Sequence, residues 1–234
     1  MTRGLLVTGT DTGVGKTVVA AAVCAAVRAR GAAVRGFKPI ESGTAESEGV
    51  PSDAELLAAA CGMGGWADAN VVALQEPLAP VVAARRAGVE LDLAAMTARM
   101  ESLRTQGALV VEGVGGALVE VVPGVTVADL AVRWDLAVLV VAGNRLGVLN
   151  HTLLTVEALI GRGVVVAGVV LNTLQPGEPT VAERTNAAEL DRLLPSAAPL
   201  LGRFAHLPAE RRRDPQTLAA AGDWLAGRLL RFLE

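Results

Sequence analysis

The sequence contains no tyrosine, three phenylalanines and three tryptophans, so aromatic side chains are scarce among its 234 residues. Proteins that hold single-stranded nucleic acid stack its bases on aromatic side chains, and this sequence offers few of them. The formal net charge is −3, which provides no general attraction for nucleic acid or for an anionic membrane surface. We therefore expect neither nucleic acid nor membrane as a partner.

Cysteine and histidine are equally scarce. The two cysteines, Cys24 and Cys61, do not suggest a disulfide framework, and the two histidines, His151 and His206, lack the neighbours of a transition-metal site. Two cysteines that form no disulfide framework fit a protein of the reducing cytoplasm. The sequence also has no Gly-x-Ser-x-Gly segment, so an α/β-hydrolase would have no nucleophile.

Long apolar runs are missing as well. Runs such as residues 136–143 and 163–171 are far shorter than the ~20 residues that span a bilayer. The apolar stretch that follows Arg3 is too short for the core of a signal peptide. We interpret the internal runs as buried parallel strands, and we expect a cytoplasmic protein.

Apolar residues make up 52% of the sequence and occur as short Val/Leu-rich runs that alternate with longer Ala/Leu-rich periodic segments. This alternation predicts an α/β fold with a mostly parallel sheet and helices on both faces, in a single domain over residues 1–234. We place strands at residues 4–9, 33–38, 108–112, 136–142, 164–171 and 198–202. We place helices at residues 16–30, 52–61, 93–106, 149–161, 181–194 and 215–232.

The most informative segment covers residues 4–17, where a short apolar strand leads into a glycine-rich loop that ends in Lys16 and Thr17. Such a loop turns backbone N–H groups inward, and the following helix adds the positive end of its dipole, so a polyphosphate is the expected ligand. The lysine would reach the β- and γ-phosphates, and the threonine hydroxyl would ligate Mg²⁺. The spacing is a variant, because five residues separate Gly9 from Gly15 where four are usual.

Polar residues also follow other predicted strands, at the edge where the phosphate loop lies. Lys38 is placed to supply a second cation near a transferring phosphoryl group, although a solvated lysine fits the pattern equally well. Glu112 ends an apolar strand, as an acid that completes a Mg²⁺ shell would. Asp53 is either a second metal ligand or an acid of a first helical turn. Asn172 either pairs with a purine or forms a turn.

Two irregular loops, residues 41–51 and 172–180, follow strand ends and are therefore expected to line the site. In open α/β sheets, ligands bind beyond the carboxyl ends of the strands. A third segment, residues 144–151, could bind an anion through its N–H groups, unless Asn150 is simply a helix N-cap.

Taken together, these motifs closely resemble those of the dethiobiotin synthetases, over residues 4–202. In chain order, the motifs are Gly-Thr-Asp-Thr-Gly-Val-Gly-Lys-Thr ending at Thr17, Lys38-Pro39-x-x-Ser42-Gly43, Ser52-Asp53, Val111-Glu112-Gly113-x-Gly115-Gly116, Leu146-Gly147-x-Leu149-Asn150-His151 and Asn172. The resemblance implies a P-loop NTPase fold and an ATP- and Mg²⁺-dependent ring closure. In that reaction, 7,8-diaminopelargonic acid takes up CO₂ as a carbamate, ATP phosphorylates the carbamate, and the second amine closes the ring to dethiobiotin.

The resemblance also implies roles for individual residues and a homodimer. The implied catalytic residues are Thr12, Lys16 and Lys38. The implied ATP-binding residues are Gly13, Val14, Gly15, Lys16, Thr17, Glu112, Gly115, Gly116 and Asn172. Substrate would contact Thr12, Lys38 and Ser42 and, across the dimer interface, Gly147, Val148, Leu149 and Asn150. The implied Mg²⁺ ligands are Thr17, Asp53 and Glu112.

Two features depart from the family pattern. Glu41 places a carboxylate beside Ser42, which would be unfavourable if it pointed at a bound anion, so we expect it to point away. The basic run Arg211, Arg212 and Arg213 belongs to no motif and is expected to form a solvated surface.

A different class, the dimeric partitioning and positioning ATPases, shares this nucleotide-binding fold. Its members usually carry an extra lysine early in the loop, where this sequence has Asp11, and its membrane-binding members need a basic amphipathic tail. The segment 218–233 is amphipathic, but packing on the domain explains it more simply. A cobyrinate synthase of the amidotransferase type would need a glutaminase domain, for which the sequence has no room.

Overall fold

The computed structural model describes residues 4–46 and 51–233. The strands are β1 (Leu5–Gly9), β2 (Val34–Ser42), β3 (Asn70–Leu74), β4 (Ala108–Gly116), β5 (Glu120–Val122), β6 (Val125–Thr126), β7 (Ala137–Gly143), β8 (Val166–Asn172) and β9 (Leu200–Phe204). The helices are α1 (Lys16–Ala29), α2 (Asp53–Cys61), α3 (Trp66–Ala69), α4 (Pro80–Ala87), α5 (Leu93–Arg104), α6 (Val127–Arg133), α7 (Val148–Ile160), α8 (Val181–Leu193) and α9 (Pro215–Leu229).

Seven strands form one parallel sheet in the described part of the chain, in the order β3-β2-β4-β1-β7-β8-β9, while β5 and β6 form an antiparallel hairpin. Helices cover both faces of the sheet. Leu5 and Val7 belong to a buried cluster with residues of α1, α2 and α9, whereas Leu6 belongs to a second cluster with residues of α4 to α8. Successive side chains of a strand alternate between faces, so both faces of β1 are buried. The predicted fold class is confirmed.

The six predicted strands and six predicted helices are all present, but β2 and β4 each run four residues past their predicted ends. β2 continues past Pro39 to Ser42, and β3 pairs with it from Lys38 onward. β4 continues to Gly116, which pairs with Gly9 at the end of β1. The carboxyl ends of β2 and β4 therefore extend alongside the start of the phosphate loop.

The sequence pattern missed β3, the β5-β6 hairpin and the helices α3, α4 and α6. β3 is an edge strand of five residues, in which Val71 and Val72 are only partly buried. So short an apolar run cannot be assigned to a strand from its period. α3 and α6 span four and seven residues, too few to show a helical period. Residues 41 and 42 of the predicted loop 41–51 belong to β2, and residues 47–50 lie outside the described residues.

The topology gathers several loops around the end of β1. β4 and β7 flank β1 on its two sides, and β2 lies beyond β4. α2 packs against both α1 and β2, which brings the amino terminus of α2 to the same edge. No helix in residues 4–46 and 51–233 is both long enough and apolar enough to cross a membrane.

Candidate active site

The phosphate loop connects β1 to α1, as the sequence predicts. Gly13 and Gly15 have φ angles of 74° and 87°, in the left-handed region that favours glycine. Gly9 is tightly enclosed, because a Cβ there would lie 2.7 Å from Cγ2 of Val14. The loop is therefore a compact turn that leads into the amino terminus of α1, the end of a helix that attracts anions.

Lys16 begins α1 and turns its ammonium group back across the loop, where Nζ donates to the carbonyl oxygen of Asp11 at 3.1 Å. Burial, together with the charge of nearby Lys38, lowers the pKa of Lys16 to about 8. The side chain is still mostly protonated at neutral pH, so it presents a positive charge beside the loop.

Next to Lys16, one hydroxyl, one ammonium and two carboxyl groups converge. Thr17 Oγ1 donates to Asp53 Oδ1 at 2.7 Å and lies 2.9 Å from Glu112 Oε1. Lys38 Nζ lies 2.8 Å from Asp53 Oδ2 and 2.6 Å from Glu112 Oε1, and it also donates to the carbonyl oxygen of Gly113. Three different elements and the start of α1 thus bring their polar side chains to one point.

Burial and the attraction between Lys38 and the two acids together set the charge states in this cluster. Lys38 is 2% exposed, and although burial alone would lower its pKa, Glu112 and Asp53 raise it above the ordinary value. Burial raises the pKa of Glu112 to about 7 against the opposing effect of Lys38. Burial acts in the same direction on Asp53, but Lys38 outweighs it and holds the pKa of Asp53 below its usual range. Lys38 is therefore a fixed cation between two acids.

A cavity of about 730 Å³ opens above this cluster. The predicted site residues that line it are Thr12, Gly13, Gly15, Lys16, Thr17, Lys38, Ser42, Asp53, Glu112 and Gly115. They come from the phosphate loop, β2, α2 and β4. The structure therefore brings together the phosphate loop, all three predicted metal ligands and the predicted substrate contacts near Lys38.

Three predicted nucleotide-binding residues, Val14, Gly116 and Asn172, do not line this cavity. Val14 is buried beneath the loop, and its carbonyl oxygen accepts a hydrogen bond from Asn172 Nδ2 at 2.9 Å. In this arrangement the amide of Asn172 supports the backbone of the phosphate loop. The loop 172–180, which was expected to line the site, contributes no residue to this cavity either.

The predicted interface residues, Gly147, Val148, Leu149 and Asn150, lie at the start of α7 and do not line the cavity. Gly147 is the N-cap of α7 with a φ of 92°, so Asn150 is not the cap. Leu146, which precedes this turn, is 87% exposed. The turn is therefore a surface feature at the carboxyl edge of the sheet, next to an apolar side chain in contact with solvent.

The structure confirms the expected orientation of Glu41 and corrects the expectation for the basic run. Glu41 points away from the cavity and accepts hydrogen bonds from the first turn of α2. Arg212 and Arg213, in contrast, line the cavity, together with Ala209 and Glu210. These residues follow β9, whose carboxyl end lies at the same sheet edge as the phosphate loop, and that position was the signal available in the sequence.

The sequence is similar to one protein-family model and to several named proteins. A family model described as an AAA domain matches residues 3–213. A protein of Anaeromyxobacter dehalogenans (strain 2CP-C) named ATP-dependent dethiobiotin synthetase BioD is 48% identical over 196 residues, which cover 82% of this chain and 85% of that protein. Proteins of the same name from Aromatoleum aromaticum and Mycobacterium bovis are 40% and 39% identical and cover 94% and 95% of this chain, with 96% and 97% of their own lengths matched.

Among solved structures, the cell division ATPase MinD of Pyrococcus furiosus is similar in fold. The TM-score is 0.57, and the match covers 97% of this chain and 98% of that protein. The sequence identity is 17%, so this likeness concerns the fold alone. It agrees with the predicted P-loop NTPase architecture.

Proposed function

The chain belongs to the family of the AAA-domain model and to the ATP-dependent dethiobiotin synthetases, and we propose that it forms dethiobiotin in biotin biosynthesis with the use of ATP. The reaction joins 7,8-diaminopelargonic acid, CO₂ and ATP and gives dethiobiotin, ADP and phosphate. The observation that carries this proposal is the grouping of Lys16, Lys38 and two carboxyl groups at one cavity beside a phosphate loop. We further propose one domain over residues 1–234 that works in the cytoplasm.

The chemistry requires two anions to meet. A carbamate oxygen of the substrate attacks the γ-phosphorus of ATP, and ADP leaves with the electron pair of the broken bond. The second amine then attacks the carbamoyl carbon of the mixed anhydride, and phosphate departs as the ring closes. The approach of carbamate to triphosphate is repulsive, and the ammonium groups of Lys16 and Lys38, which line the cavity, would offset that repulsion.

Mg²⁺ would be held by Thr17, Asp53 and Glu112. The donor set fits, because Glu112 Oε2 is buried without a hydrogen-bond partner and the Thr17 hydroxyl lies against both carboxyl groups. The described residues contain no group of three His, Cys, Asp or Glu side chains suited to a metal. Mg²⁺ does not need one, since it takes one or two carboxylates and completes its shell with phosphate oxygens and water. The bound ion would neutralise charge on the β- and γ-phosphates.

Substrate would lie on the Ser42 and Thr12 side of the cavity, close to Lys38. Both residues line the cavity with small hydroxyl side chains that can donate to an anionic oxygen. The carboxylate end of the substrate would reach Gly147, Val148, Leu149 and Asn150 of a second subunit, so the proposed enzyme is a homodimer. Leu146, which is 87% exposed beside that turn, would be covered in such a dimer. Val14 and Gly116 would bind the nucleotide through backbone groups. Asn172, at the end of β8, would contact adenine as the family resemblance implies.

The direct test is an assay of the purified protein with ATP, Mg²⁺, bicarbonate and 7,8-diaminopelargonate, with dethiobiotin detected by mass spectrometry. We expect product only when all four components are present. A folded sample that binds ATP but gives no product would contradict the proposal. Steady ATP hydrolysis without the diamine, stimulated by DNA or lipid, would indicate the partitioning ATPase class instead.

A further inference from the structure

Glu41 is a buried carboxylate at the active-site edge that is not part of the cavity. It lies near the end of β2 and is 6% exposed. Oε1 accepts a hydrogen bond from the backbone N–H of Asp53 at 2.7 Å, and Oε2 accepts one from the N–H of Ala54 at 3.4 Å. Both oxygens are therefore directed at the first turn of α2, the helix that begins with a predicted metal ligand.

The first turn of a helix has N–H groups without partners inside the helix. At α2, Ser52 and Glu55 form a capping box, in which Glu55 N donates to Ser52 Oγ at 3.1 Å and Ser52 N donates to Glu55 Oε2 at 2.8 Å. The two N–H groups between them, of Asp53 and Ala54, donate to Glu41. Glu55 and Glu41 thus stabilise the same helix end, but only Glu41 binds the backbone of Asp53.

The position of that backbone matters because of what the Asp53 side chain does. Its carboxylate accepts a hydrogen bond from Thr17 Oγ1 at 2.7 Å and lies 2.8 Å from Lys38 Nζ. A carboxylate that holds a metal ion must be oriented by its surroundings, and partners of metal ligands affect metal affinity strongly. Glu41 also connects β2, which carries Lys38, to α2, which carries Asp53.

We propose that Glu41 is a positioning residue, whose carboxylate fixes the first turn of α2 so that Asp53 is oriented toward the metal ion and Lys38. The proposal rests on the proposed function, since it assigns Glu41 a role in the Mg²⁺ site of that function. Glu41 does not line the cavity, and its hydrogen bonds go to the backbone of Asp53 and Ala54, so the proposed role is exerted through the first turn of α2.

The test compares Glu41→Ala with Glu55→Ala, which removes a cap from the same helix end but leaves the hydrogen bonds to Glu41 in place. Mn²⁺ is titrated into each protein with a non-hydrolysable ATP analogue, and binding is followed by electron paramagnetic resonance. We expect Glu41→Ala to weaken Mn²⁺ binding by about 10–100-fold. We expect Glu55→Ala to lower the melting temperature and to change Mn²⁺ binding less than about twofold.

Glu41→Gln gives a second, milder variant, because glutamine keeps one acceptor oxygen but turns an NH₂ group toward the other N–H. We expect it to weaken Mn²⁺ binding by less than Glu41→Ala but by at least about threefold. If Glu41→Ala does not fold, Mn²⁺ binding to Glu41→Gln tests the proposal in its place. Unchanged Mn²⁺ binding in the folded Glu41 variants, or equal weakening in Glu55→Ala, would overturn the proposal.

Activity provides a separate measurement. In the dethiobiotin assay, Glu41→Ala should raise the Mg²⁺ concentration for half-maximal rate and leave the KM for the diamine within about twofold of wild type. A rise in that KM with an unchanged Mg²⁺ requirement would contradict a role through Asp53. Wild-type protein that binds Mn²⁺ and nucleotide but makes no dethiobiotin would refute the proposed function alone, because metal binding is measured independently.

Discussion

Lys38 is a buried cation shared by Asp53 and Glu112, and its position explains why one lysine can serve both the fold and the proposed chemistry. We expect Lys38→Ala to lower kcat about 10²–10³-fold, the range typical for removal of one charge-stabilising group. The Kd for ATP should change much less, because Lys16 and the loop backbone remain. Stopped-flow rates and calorimetric ATP titrations measure the two quantities.

Removal of one partner from a buried ion pair also costs about 3–5 kcal/mol, so the Lys38 variant must be shown to be folded. Arg35→Ala is a suitable control, since Arg35 is on the same strand but belongs to a different cavity, away from the phosphate loop. An unchanged rate in folded Lys38→Ala would remove Lys38 from the active site.

The Thr17 hydroxyl is the only hydroxyl among the proposed Mg²⁺ ligands. It contacts both carboxyl groups of the proposed metal site. We expect Thr17→Ala to raise the Mg²⁺ concentration for half-maximal rate by about tenfold or more, and Thr17→Ser to stay near wild type because serine keeps the hydroxyl. Mg²⁺ titrations of the rate measure this. Equal behaviour of the two variants would show that the hydroxyl has no part in metal binding.

The residues of the site were predictable to the extent that short motifs encode them. Strand ends indicate Lys38 and Glu112, whereas the metal role of Asp53 comes from the family resemblance. The structure places Lys38 Nζ 2.8 Å from Asp53 Oδ2 and 2.6 Å from Glu112 Oε1. The sequence could not reveal that Lys38 is buried inside β2, since burial depends on strands far away in the chain. Arg212 also lies beyond a strand end, but it follows β9 by eight residues, and the path that takes this connection over the phosphate loop depends on tertiary packing.

At the scale of elements, helices with a long apolar period were found from the sequence, and short or edge elements were not. α1 and α9 illustrate the first case, since each has a continuous buried face. β3 illustrates the second, because its pairing with β2 determines it more than its own five residues do. The same pairing extends β2 to Ser42, four residues beyond the end that its own sequence pattern predicts.

The contact between α1 and α9 depends on Gly222. A Cβ at Gly222 would lie 2.2 Å from the carbonyl oxygen of Ala22, which belongs to the α1 backbone and cannot rotate away. We expect Gly222→Ala to force the helices apart and to reduce the free energy of unfolding by about 1–3 kcal/mol or more. Thermal unfolding measures the effect, at about 2–4 °C per kcal/mol for a chain of this size.

Gly227→Ala in the same helix is the matched control. Its added Cβ would meet the guanidinium of Arg30 at 3.3 Å, and that flexible side chain can move. Replacing a helical glycine by alanine there should stabilise the protein by up to about 1 kcal/mol. A melting temperature for Gly222→Ala equal to or above that of Gly227→Ala would show that the helix contact tolerates the methyl group.

For the whole molecule, the cavity is the proposed site of ATP, the metal ion and the carbamate end of the substrate, and the turn at the start of α7 lies outside it. The proposed homodimer gives that turn a function, because the turn of a second subunit would bind the carboxylate end of the substrate. Leu146 would then lie in the interface. At 87% exposure it is the most exposed large apolar side chain in the described residues.

The variant Leu146→Arg tests the proposed dimer interface. A charge at this position would be costly to bury, so we expect the variant to elute as a monomer in size-exclusion chromatography with light scattering. The monomer should still bind ATP, and its KM for the diamine should rise about tenfold or more, because the substrate carboxylate would lose charge-assisted hydrogen bonds.

Val165→Arg is the control. Val165 is 48% exposed and precedes β8 at the amino edge of the sheet, so this variant should remain dimeric. A monomeric wild type, or a monomeric variant with unchanged KM, would contradict a substrate site shared between subunits.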